Sequence, residues 1–95
     1  MDKIEAPRVL ADLLEPYRNL PYADLTELVR QEPRAAEVTG SNGGQYQTEV
    51  MAVWDDRRGG PIRVLASVFD GGLRSAFLPL TEDFIKSPDG AFVGE

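Results

Sequence analysis

Asp55, Asp56 and Asp70 come nearest to a chemical site in this chain, because clustered oxygens can hold Ca²⁺ or Mg²⁺ and paired carboxyls can trade protons with a substrate. Their placement argues against both roles. Asp55 and Asp56 leave one end of the apolar run Pro61–Phe69 and Asp70 leaves the other, roughly eight residues or about 27 Å apart at the rise of an extended strand. The spacing fits no EF-hand loop, so these are turn residues, with Arg57 and Arg58 at hand to balance them on the surface. A two-carboxylate glycosidase would need its acids about 5–10 Å apart in a cleft. A chain this small offers little depth for one, and Glu49 with Arg63 is read instead as a cross-strand ion pair.

The loop Gly40-Ser-Asn-Gly-Gly44 invites a phosphate-cradle reading. A P-loop ends in Lys-Ser/Thr and opens a helix, whereas Gln45-Tyr-Gln-Thr-Glu-Val50 follows here with the alternation of a strand, so the loop is a hairpin turn. Histidine and cysteine are both absent. That removes Ser-His and Cys-His nucleophile pairs, thiolate and imidazole metal sites, and disulfides. An enzyme would have to work with carboxylates plus Tyr46, Lys86 or an arginine, and no spacing singles out a set. We read the chain as non-catalytic, with no cofactor and no metal.

The 95 residues make one small domain, and 42% hydrophobic with 27% charged residues is the composition of a globular protein. The net charge of -6 is shared evenly, -3 from residues 1–43 and -3 from residues 44–95, with no basic patch. Nucleic-acid binders gain affinity by neutralising phosphates with Lys and Arg, so no DNA or RNA partner is expected. No stretch approaches the ~20 apolar residues of a membrane span, and Met-Asp-Lys-Ile-Glu-Ala-Pro lacks the pattern of a signal peptide. A soluble, unprocessed, cytoplasmic protein is the expectation.

The elements that position these side chains follow from periodicity. Val9, Leu10, Leu13 and Leu14 predict an amphipathic helix over about 6–15, ended by Pro16. Leu25, Leu28 and Val29 predict a second over about 21–31, opened by Pro21 and closed before Pro33. The linker Pro16–Pro21 brings Tyr17 and Leu20 to the helix junction; a single kinked helix is the alternative. Strands are expected at about 35–39, 45–54, 62–69 and 73–80, with a short one at 91–93. Thr81 would cap a helical turn running to Phe84, and Ser87-Pro-Asp-Gly90 is a turn. If Gly71 and Gly72 form a two-residue hairpin loop, Phe69 faces Arg74, Ala66 faces Phe77, Leu65 faces Leu78 and Val64 faces Pro79, and a one-residue slip would exchange the faces.

The fold class is therefore α+β: two short N-terminal helices packed on one face of a 3–5-stranded antiparallel meander. Pro61–Phe69 is apolar on both faces, and two short helices shelter only one. With Tyr46, Thr48, Val50, Ala52 and Trp54 turned to the core, Met51, Val53, Leu65, Phe69 and Leu78 form a candidate interface, to a second copy in a homodimer or to another protein. The runner-up is a small-molecule site in an apolar pocket near Tyr17, Tyr22 and Trp54. No motif assigns a more specific role.

Overall fold

The computed structural model describes residues 3–69 and 79–95. Two helices, α1 (Glu5–Arg18) and α2 (Tyr22–Val29), precede four strands, β1 (Arg34–Thr39), β2 (Gln45–Trp54), β3 (Ile62–Phe69) and β4 (Leu80–Lys86). The strands form one antiparallel sheet in the order β1-β2-β3-β4, a meander. The fold is α+β, with both helices ahead of the sheet in sequence.

The two faces separate by the period of 2 that a pleated strand imposes. Along β2 the residues Tyr46, Thr48, Val50 and Ala52 are buried, and along β3 Ile62, Val64, Ala66 and Val68 are each 0% exposed. Ala6, Val9, Leu10 and Leu14 of α1 and Leu25 and Leu28 of α2 complete that core with Phe84. Tyr17, Leu20 and Trp54 close its margin as half-buried lids. Each helix is too short to persist alone in water, so this burial is what holds it.

Three expectations need correction. Pro16 lies inside α1, which runs on to Arg18. A proline deletes one backbone donor, at the cost of one bond to the carbonyl of Asp12, an exposed residue that water can serve. The last turn is secured instead by contacts from the end of the chain. Second, the strand paired with β3 is Leu80–Lys86: Leu65 faces Asp83, Ala66 faces Glu82 and Val64 faces Phe84. The register through a Gly71-Gly72 loop is overturned, since Val68 faces Leu80 and ten residues separate Phe69 from β4. Third, Thr81–Phe84 is strand, not a helical turn. The predicted strand 73–80 lies almost wholly outside the described residues, as do Asp70 and Leu78.

The closing segment is tied down by rings and charges. Phe92 bridges Lys86 across an isolated antiparallel pair, and the Val93 N–H donates to the Ile85 carbonyl at 2.8 Å, all that remains of the predicted strand 91–93. Phe92 meets Phe84 edge-on, with centroids 5.8 Å apart, and the Arg18 guanidinium lies 5.1 Å from the Phe84 centroid and 5.5 Å from that of Phe92. Arg18 also pairs with Glu95 at 2.9 Å. The turn before Phe92 is set by Asp89, which accepts bonds from the Ser87 hydroxyl and from the Ala91 N–H at 3.0 Å.

Two outcomes follow. Leu14→Ala should destabilise the fold by about 2–5 kcal/mol, read as a lower urea midpoint with an unchanged m-value. The Ser87 bond first, then the Ala91 N–H, holds the Asp89 carboxyl below its ordinary 3.8. A lowered folded pKa contributes stability above the unfolded value, lost as pH falls through the folded one, so the turn should loosen only below pH 3.8. In an NMR titration the Asp89 midpoint should lie under 3.8 and rise in Ser87→Ala.

Candidate functional site

The sheet face turned away from the helices carries the candidate interface. Opposite residues in an antiparallel pair share a face, so the register lays out its rows. Met51 faces Leu65, which faces Asp83; Val53 faces Arg63, which faces Ile85; Gln47 faces Phe69. Met51, Val53, Leu65, Phe69 and Ile85 are all half-buried. The structure thus brings together Met51, Val53 and Leu65 as neighbours, puts Phe69 on the same face toward its far end, and adds Ile85. Leu78 falls outside the described residues.

Arg63 sits amid these apolar side chains and is satisfied from two directions. Its Nε donates to Asp55 Oδ1 at 2.9 Å, and Nη1 pairs with Asp83 Oδ2. Hydrogen bonds to Asp55 first and Asp83 second raise the guanidinium pKa above its ordinary value. The predicted Glu49–Arg63 pair is not formed: Glu49 faces Ser67, and Arg63 lies four residues further along β3, opposite Val53. Asp55 therefore has a structural partner in Arg63 rather than in Arg57 or Arg58. Among the described residues no three acidic side chains converge on a cation position.

Tyr17, Tyr22 and Trp54 of the alternative pocket are all half-buried against the core. Tyr22 donates its hydroxyl to the Gly60 carbonyl at 2.6 Å, while the Arg34 guanidinium lies 6.0 Å from the Tyr17 ring, so the two tyrosines serve different ends of the helix layer. The hollow beside Trp54 is lined by Thr26, Val29, Arg30, Arg58 and Gly59, with neither tyrosine in its wall.

Two charged residues that periodicity passes over decide where α1 lies. Glu5, only 3% exposed, reaches into the β1–β2 turn, where Tyr46 donates its hydroxyl to Oε1 at 2.7 Å and the Asn42 N–H donates to Oε2. Glycine at 40 and 44 makes room for this approach, because a Cβ on either would push the Glu5 carboxyl group out of its present position. At the other end Lys86, 7% exposed, donates from Nζ to the carbonyls of Arg18 at 2.8 Å and Leu20 at 2.9 Å, with the Phe92 ring centroid 4.9 Å away. An acid at the helix start and a cation on the carbonyl of its last residue, Arg18, both suit the helix dipole. The only sequence signal for Glu5 is an acid in the first turn; which loop it enters is a tertiary fact.

Glu5→Ala should cost on the order of 2–4 kcal/mol in urea denaturation, because two donors lose their acceptor at a buried site. In a double-mutant cycle with Tyr46→Phe the pair should couple by about 0.5–3 kcal/mol, whereas additive losses would mean that the contact contributes nothing. Compared with known proteins, the chain matches no family model, no curated protein and no solved structure, so its function has to be argued from these side chains.

Proposed function

We propose that the protein is a non-catalytic interaction module of the cytoplasm that self-associates through the open face of its sheet. Met51, Val53, Leu65, Phe69 and Ile85 pack against the same side chains of a second copy across a two-fold axis. The observation that carries this reading is the burial contrast along β3. Ile62, Val64, Ala66 and Val68 are fully buried on the side that carries the helices, while Leu65 and Phe69 on the reverse side are only half-buried. An apolar sheet face of this kind gains by association roughly 25 cal/mol for each Å² it removes from water. Arg63, held between Asp55 and Asp83, supplies a fixed polar feature that sets the register of the two copies. A chain without cysteine needs no oxidising compartment, which suits the cytoplasmic setting.

Sedimentation of the wild-type protein should give twice the 10.5 kDa chain mass at tens of micromolar. Leu65→Asp should give a folded monomer with native circular dichroism, whereas Val64→Asp, one residue away on the covered face, should unfold the chain. A wild-type protein that stays monomeric at several hundred micromolar would remove the proposal.

A further inference from the structure

The two margins of the sheet differ in a way the self-association of its face does not use. β4 has its outer edge partly taken by the chain itself, through the Lys86–Phe92 bridge and the Val93 N–H on Ile85. β1 has β2 on one side and no described strand on the other. Five of its six residues are exposed, and Arg34-Ala-Ala-Glu-Val-Thr39 has neither an internal proline nor a lysine of the kind that usually guards a free edge.

The phase of the ladder tells which backbone groups point outward. The Gly40 N–H donates to the Gly44 carbonyl at 2.7 Å, so Gly40 and Gly44 are a hydrogen-bonded pair at the head of the hairpin. Such pairs alternate along an antiparallel ladder. Arg34, Ala36 and Val38 therefore exchange bonds with β2, and Ala35, Glu37 and Thr39 turn their N–H and C=O groups away from it. The edge offers three donors and three acceptors in strand geometry.

A hollow flanks this edge on each face. On the helix side Val9 and Leu13 of α1 and Val38 of β1 line a depression of about 520 Å³, with Arg8 and Asp12 at its rim. On the open side Ala35, Glu37, Gln47, Glu49 and Phe69 line another of about 310 Å³. Glu37 and Glu49 are diagonal neighbours across β1 and β2, roughly 7 Å apart, and neither has a cationic partner among the described residues.

We infer that β1 receives an extended, basic segment of a partner protein as a fifth strand, with lysine or arginine side chains over Glu37, Glu49 and Phe69 and the alternate apolar side chains in the hollow beneath α1. Backbone bonds to Ala35, Glu37 and Thr39 supply affinity and the two hollows supply sequence preference, the division of labour of strand addition. Charge selects the occupant. A second copy paired through its own β1 would bring acidic Glu37 and Glu49 toward their counterparts, whereas a basic strand meets an unneutralised pair and an aromatic ring. The backbone groups of Ala35, Glu37 and Thr39 lie on the edge, away from Met51, Val53, Leu65 and Ile85 of the proposed dimer face; Phe69 is common to both surfaces, and the Leu65→Asp monomer tests the edge by itself.

The test is a titration of the whole protein with the capped peptide Lys-Val-Lys-Val-Lys-Val, followed by NMR, on wild type and on Leu65→Asp. Saturable binding with shifts and slowed amide exchange at Ala35, Glu37 and Thr39 is expected in both proteins, so loss of the dimer and loss of this site are separable. Glu37→Pro, which deletes one outward donor and leaves the β1–β2 bonds in place, should abolish binding while circular dichroism stays native. Glu37→Gln with Glu49→Gln should weaken it at least tenfold, and a Glu-Val peptide should not bind. No saturation at millimolar Lys-Val peptide, shifts that avoid β1, binding that survives Glu37→Pro, or exchange protection of Ala35, Glu37 and Thr39 that grows with protein concentration alone would each overturn the inference.

Discussion

Everything outward in this molecule follows from how α1 is fastened. Glu5 anchors its first turn in the β1–β2 loop, and Lys86, from the end of β4, bonds the carbonyl of its last residue and that of Leu20 just beyond, so the helix lies between two polar contacts that apolar packing alone would not specify. Val50, Val64 and Ala66 give the helix an apolar bed. Buried polar groups are less forgiving. Tyr46 and the Arg18 and Leu20 carbonyls each need a partner, and one position of α1 supplies them together.

Fixing α1 also fixes which side of the sheet is inside. α1 and α2 lie over Tyr46, Thr48, Val50 and Ala52, and the N-terminal helices end before any of the strands begin, so the described chain has no further helix for the reverse side. The reverse side is nevertheless rich in large apolar residues. An alternating strand that was meant to face water would carry polar groups at Met51, Val53, Leu65 and Ile85, and it does not. The face and the β1 edge are two different kinds of surface. One is broad and apolar; the other is narrow and made of backbone groups and acidic side chains.

Much of the fold was legible in the residues. The spans of β2 and β3 and the burial of their even-numbered side chains followed from alternation, and Leu25 and Leu28 followed from helical spacing. The errors have physical causes. β4 carries Glu82 and Lys86 on the inward side and Asp83 on the outward side, so its charge pattern hides the pleat, while the glycines after Asp70 mimic a tight turn. Pro16 reads locally as a helix stop, and Arg18 stacking on Phe84 and Phe92 holds the last turn regardless. Ile85 escaped notice for the same reason as β4, since it joins the open face only in the true register. Glu5 and Lys86 were invisible in principle, because a buried charge is explained by its partners and those lie 37 to 68 residues away along the chain.

The central claim is that the open face of the sheet meets its own copy, and the most direct measurement is an isotope-filtered NOE experiment on a mixture of labelled and unlabelled protein. The account predicts contacts between chains at the methyl groups of Met51, Val53, Leu65 and Ile85 and none at Val64 or Val68. A spectrum without such contacts at millimolar protein, or one that places them on the helices instead, would contradict it.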